Sequence, residues 1–109
     1  MSYPQGSIVE VSFDPSLGHE PQKTRPAVVL SVEKVNLMSS LTVVAPITTN
    51  NNRYPLHIEI APDNAAEGFV CIEQIAAIDL SARKHNRLGE LDSETMAYVL
   101  DAVGAVFGI

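Results

Sequence analysis

Residues 7–31 read SIVEVSFDPSLGHEPQKTRPAVVLS, and the two ends of this stretch decide the fold. At its start Val9, Val11 and Phe13 alternate with Glu10 and Ser12. Alternation at period two in β-branched residues predicts a half-buried strand. At its end PAVVLS (26–31) stays apolar until Ser31, which predicts a strand buried on both faces. Pro26 is expected at the first residue of that strand, where a missing N–H is tolerated. Asp14 to Gly18 between them is turn chemistry. The loop that follows carries His19, Glu20, Lys23 and Arg25, more charge than a simple turn needs.

Outward from this stretch the pattern repeats. LTVVAPIT (41–48) predicts a third strand, interrupted near its end by Pro46. TNNN (49–52) is a loop, since Asn accepts turn conformations. PLHIEIA (55–61) alternates again. GFVCIEQI (68–75) predicts a further strand, continued after a bend by AAIDLS (76–81). From Asp92 the period changes. Asp92 or Ser93 suits a helix N-cap, and Met96, Val99, Leu100, Val103, Val106 and Phe107 recur at spacings of three and four. That stripe predicts core packing, with Gly108 at the helix end. Several short strands and one closing helix predict a mainly β fold: a small, strongly bent antiparallel sheet or barrel, one domain over 1–109.

Composition sets the boundaries. The chain has 109 residues, 46% hydrophobic and 18% charged, which suits one globular domain rather than a disordered chain. Its apolar runs are too short to span a bilayer. MSYPQGS has neither a basic nor an apolar leader segment, so a cytoplasmic protein is expected. The single Cys71 lies in an apolar setting and reads as a buried, inert thiol. No cofactor or metal is expected. The histidines are isolated, no pair has helical i, i+4 spacing, and one cysteine does not build a thiolate site. A phosphate-binding Gly loop, a dinucleotide motif and a Gly-x-Ser-x-Gly elbow are all missing from the sequence.

The net charge of −6 argues against a nucleic-acid partner, but the distribution of bases does not. Lys23 and Arg25 lie in the opening loop, Arg53 follows TTNNN, and Arg83, Lys84 and Arg87 cluster in SARKHNRLG. His19, His57 and His85 fall in or near the same places. These segments are either ordinary solvated loops or, if they converge, a basic site on an acidic body. Polar residues also gather at strand ends: His19, Glu20 and Arg25; Thr48 and Thr49; Glu73 and Gln74; Arg83. Glu73 between Ile72 and Ile75 either points outward or belongs to a site.

Five features in order, GSIVEVSFDPSLGHEPQKTRPAVVLS, VVAPIT, the YP after the Asn loop, GFVCIEQI with IDLSAR behind it, and the terminal helix, resemble the MazF/PemK family of toxin endoribonucleases. The resemblance implies a small SH3-like barrel, a homodimer, and metal-independent cleavage of single-stranded RNA. It also implies neutralisation by a cognate antitoxin encoded beside the toxin. The implied chemistry is transesterification: the ribose 2′-hydroxyl attacks the adjacent phosphorus, leaving a 2′,3′-cyclic phosphate and a 5′-hydroxyl. Such a reaction needs positioned proton-transfer groups and a cation for the phosphorane charge.

In that resemblance Arg25 matches the arginine before proline that stabilises the transition state, and Thr48 the threonine whose hydroxyl meets the same phosphate. Glu20 matches an acidic position implicated in some members. Glu73 stands where one branch assigns base duty to aspartate. His19, Lys23, Arg53, Gln74, Arg83, Lys84 and Arg87 are the RNA-binding candidates. Two positions depart from the pattern: Glu73 replaces the usual Asp, and Cys71 stands where one branch has an arginine. Pro21 and Lys23 replace the Gln and Gly of many relatives. The alternatives are a toxin of the same barrel acting on a protein, as gyrase-poison relatives do, and a barrel that binds without catalysis.

Overall fold

The computed structural model describes residues 2–12, 24–50 and 55–109. The elements follow in chain order: strand β1 (Ser7–Ser12), β2 (Thr24–Val29), a short helix α1 (Glu33–Met38), β3 (Thr42–Thr48), β4 (His57–Glu59), β5 (Phe69–Cys71), β6 (Ala76–Ile78), β7 (His85–Glu90) and the helix α2 (Ser93–Phe107). Single 3-10 turns over Ile72–Gln74 and Leu80–Ala82 join β5 to β6 and β6 to β7. All pairings are antiparallel, in the order β4-β5-β3-β2-β1-β7 with β6 also on β3. Among the described residues this ladder does not close on itself. The architecture is the expected one: a mainly β, antiparallel, barrel-like sheet with a C-terminal helix.

Both faces of the central strands are buried. Ile8, Val28, Leu30, Ala45, Ile47, Val70, Ile72, Met96 and Val99 belong to one apolar cluster, and Val9, Val11, Ala27, Val29, Val44, Ile78 and Leu80 to another. For β2 this matches the continuous apolar run. For β1 it corrects the half-buried expectation: Ser7 and Ser12 are buried as well, and only Glu10 is exposed. The reason is position, since β1 lies inside the ladder between β2 and β7, and short serines pack where the alternation suggested a wet face.

The prolines also differ from expectation. β2 begins at Thr24, so Pro26 is its third residue, opposite Glu10. It is tolerated because β3 pairs β2 only at Ala27–Val29, so beside Pro26 that flank has no ladder to break. Pro46 does not interrupt β3. The strand pairs β6 at Thr42–Val44 and β5 at Ile47–Thr48, and Pro46 falls in the handover between them.

GFVCIEQI yields only the three-residue β5 before the 3-10 turn, and α1 has no counterpart in the sequence reading. The basic segment SARKHNRLG, read as a loop, contains most of β7, an end strand of the ladder. Charged Arg87 there is the ordinary protection of an exposed edge.

α2 starts as expected. The Asp92 carboxylate accepts from Thr95 N–H at 2.9 Å, and Asn64 ties the same cap to the preceding loop through bonds to Asp92 of 3.0 and 2.9 Å. Gly108 ends the helix at φ 72°. The apolar stripe is core only in part: Met96 and Val99 are buried, whereas Val106 and Phe107 are exposed. Ala102 and Val103 still pack against the core, and only the last turn of the helix overhangs it.

Gly68, just before β5, has φ +121°, and a Cβ there would lie 2.1 Å from the Thr48 carbonyl oxygen. The β3–β5 junction therefore requires glycine. Gly68→Ala is expected to destabilise the fold by more than about 1 kcal/mol, read from urea denaturation. An alanine variant as stable as the parent would show that the two backbones need not approach so closely.

Candidate active site

Arg25, Thr48 and Cys71 come from three neighbouring strands, and Glu73 from the turn that follows the last of them. Arg25 lies near the start of β2, opposite Val11, and is partly buried. Thr48 ends β3, opposite Phe69 of β5. Cys71 ends β5, and the 3-10 turn that follows presents Glu73 and Gln74 to solvent. Their proximity is electrostatic as well as topological. Burial, then the Glu73 charge, push the Cys71 thiol above its ordinary value; the Arg25 charge and a backbone hydrogen bond from Thr48 pull the other way. The thiol is 1% exposed, as the apolar setting of Cys71 leads one to expect.

Thr48 Oγ1 accepts from Asn50 N–H at 3.1 Å. That bond fixes the hydroxyl oxygen at the strand end and leaves its proton to donate outward. Arg25 brings a planar, permanently charged fork to the same end of the sheet. Together they offer one hydroxyl donor and one bidentate cation, a set suited to a phosphate oxygen.

Sequence reasoning did not place His57 in the site. It lies on β4 directly opposite Cys71, and its Nε2 is 2.8 Å from Glu73 Oε2. The imidazole side chain is 5% exposed and the glutamate side chain 25%. Burial acts to raise the Glu73 pKa, but hydrogen bonds from His57, the backbone and Gln74, with the His57 charge, outweigh it and hold the carboxyl below the usual glutamate range. The donor atoms of His57, Cys71 and Glu73 all lie within 4.8 Å of one another. Helical i, i+4 spacing is not how these ligands come together. This trio comes from strand register, which one chain segment does not reveal.

The basic candidates divide. Arg83 Nη1 donates to the Ser12 carbonyl at 2.7 Å, and Ser12 pairs with Thr24, next to Arg25. His85 faces Val11 from the side opposite Arg25, with its Nδ1 2.8 Å from the Tyr3 hydroxyl. Arg83 thus belongs to the Arg25 end of the sheet. Arg87 does not: it faces Val9 and lies 3.6 Å from Glu90. Lys84 is exposed between them. His19, Glu20, Lys23 and Arg53 lie outside the described residues. Among the described residues no helix is long and apolar enough to cross a membrane.

The family model for the PemK-like, MazF-like toxin of type II toxin-antitoxin systems matches residues 4–107. The endoribonuclease toxin ChpB of Escherichia coli (strain K12) is 40% identical, over 95% of this chain and 93% of that protein. The endoribonuclease PemK of Escherichia coli is 31% identical, over 94% of this chain and 80% of that one. Among solved structures, MazE-MazF (Form-II) from Deinococcus radiodurans contains a chain that superimposes with a TM-score of 0.90 at 27% identity, covering 100% of this chain and 98% of that one. The fold is therefore the MazF-like barrel.

The His57–Glu73 contact has a pH signature. A carboxyl with a depressed folded pKa adds stability that is present above its unfolded value, about 4.3, and is lost as the pH falls through the folded value. Glu73→Gln removes that contribution. The melting temperatures of parent and variant are expected to differ at neutral pH and to converge below the ordinary glutamate range. A constant difference down to the acid limit would count against the contact.

Proposed function

The chain belongs to the PemK-like, MazF-like toxins of type II toxin–antitoxin systems, and from that premise we propose that it is an endoribonuclease cutting single-stranded RNA without a metal. The observation that carries the reading is the placement of Arg25 and Thr48 at one end of the sheet, with Arg83 beside them. RNA brings its own nucleophile, the 2′-hydroxyl, so the protein needs no covalent residue. Arg25 holds two oxygens of the phosphate and takes up the charge that grows as the phosphorane forms. The Thr48 hydroxyl donates to the same group and fixes its orientation.

Glu73 is a weak base here, because His57, the backbone and Gln74 hold its carboxyl below the usual range. Its role is to anchor His57 at the border of the site. Glu20, which matches an acidic position implicated in some members of the family, is the carboxylate we assign to proton transfer. His19, Lys23, Arg53, Gln74, Lys84 and Arg87 are assigned to the RNA backbone, with Arg87 contributing least because of its Glu90 contact.

The protein acts in the cytoplasm as the toxin of a pair, restrained by a cognate antitoxin, and works as a homodimer. The exposed Leu100, Val106 and Phe107 on α2 offer apolar surface for such contacts.

RNA is expected to be cut in excess EDTA, leaving 5′-hydroxyl ends that polynucleotide kinase labels without phosphatase. Arg25→Ala should lower turnover about a hundred- to a thousandfold, Arg25→Lys should restore little, and Thr48→Val should impair cleavage with the fold intact. Glu73→Gln should stay within a few-fold of the parent. A requirement for added Mg²⁺, or an Arg25→Ala protein as active as the parent, would end this mechanism. Poisoning of a gyrase supercoiling reaction without RNA cleavage would replace it with a protein target.

Light scattering should give a mass of about 24 kDa, twice the 11.8 kDa chain. A monomer at micromolar concentration would remove the dimer from the proposal.

A further inference from the structure

The geometry points to a binding site for a thiophilic divalent cation of the zinc class, formed by a ring nitrogen of His57, Cys71 Sγ and the Glu73 carboxylate. Three observations carry it. First, the donor atoms lie within 4.8 Å of one another. Second, the site is built on paired strands: His57 and Cys71 are direct partners in the β4–β5 register, so their side chains leave the same face, and the 3-10 turn returns Glu73 to within 2.8 Å of His57. Third, access is graded. His57 and Cys71 are buried, and the partly exposed Glu73 forms the mouth.

The donor set selects the ion. One imidazole nitrogen, one sulfur and one carboxylate oxygen suit Zn²⁺ or Co²⁺; Mg²⁺ and Ca²⁺ prefer all-oxygen shells. Bond lengths of about 2.0–2.3 Å around a tetrahedral ion place donors roughly 3.3–3.6 Å apart. Closing on an ion thus asks the glutamate, the most exposed of the three, to withdraw slightly from the imidazole. Cys71 ligates as thiolate, so each ion bound releases its thiol proton to solvent. Three protein donors leave a fourth position for water at the Glu73 side. The proposal does not depend on the ribonuclease reading, in which no step uses a metal.

The test uses the full chain, stripped of metal and kept reduced with a phosphine, in the absence of RNA. Titration with Co²⁺ alone should raise a near-ultraviolet thiolate-to-cobalt charge-transfer band and the visible bands of a four-coordinate ion. Both should saturate at one cobalt per chain, and Zn²⁺ should abolish them. Cys71→Ser should remove the charge-transfer band. Glu73→Gln, which changes a solvent-facing group and keeps the fold, should weaken Co²⁺ binding at least about tenfold. His57→Gln should do the same, with circular dichroism confirming that the variant is folded. No charge-transfer band at saturating Co²⁺, or a band whose midpoint is unchanged in Glu73→Gln, would overturn the site.

Discussion

Strand β3 is the constraint on which the rest of the molecule depends. Its first half pairs β6 and its end pairs β5, while its middle residues also pair β2. The two halves of the sheet are joined through one seven-residue strand. Pro46 marks the handover, where neither β6 nor β5 pairs the strand. Beyond it, the close approach of Gly68 to the Thr48 backbone brings β5 in, and with β5 come Cys71 and Glu73. Both apolar clusters reach this strand, through Ala45 and Ile47 on one side and Val44 on the other. The position of Thr48 is therefore set by packing on both faces at once.

Much of this was legible in the chain. Apolar periodicity located β1, β2, β3 and β5, and the change of period at Asp92 located α2 with its cap and its terminal glycine. What misled were signals that local pattern cannot resolve. Glu10 and Ser12 looked like a wet face, yet Ser12 is buried because the strand is interior. Proline was read as a strand boundary, which holds only where both flanks are paired. The basic run at 81–89 was read as a loop because charge is a loop signal, and it is also how an exposed end strand is protected. At the site, Arg25, Thr48 and Glu73 were named from the strand-end pattern and the resemblance. His57 was missed because it becomes a neighbour of Cys71 only through cross-strand register.

The acidic balance is compatible with the proposed phosphate contact because two cations gather in one place. Glu59, Glu67, Glu90 and Glu94 lie on β4, its loop to β5, β7 and α2, whereas Arg25 and Arg83 gather near the ends of β1 and β2. A local pair of cations attracts an anionic chain even on a net-acidic body. Binding that rests on few phosphate contacts is only shallowly salt-dependent, since the slope grows with each phosphate neutralised.

The two departures from the family pattern, Cys71 and Glu73, are not independent. Cys71 stands opposite His57 in the strand register, and Glu73 bonds to the same imidazole. An arginine at position 71 would put a guanidinium into a place where the thiol is now 1% exposed, against a histidine from the neighbouring strand. Cysteine removes that charge and lets the histidine be buried beside it. A glutamate two residues on carries one methylene more than aspartate, and its carboxylate spans to the imidazole of β4. Each replacement makes room for the other's partner. Without a cation at 71, the charges acting on this end of β5 are those of Glu73 and Arg25. A single interacting unit of histidine, cysteine and glutamate thus accounts for both positions.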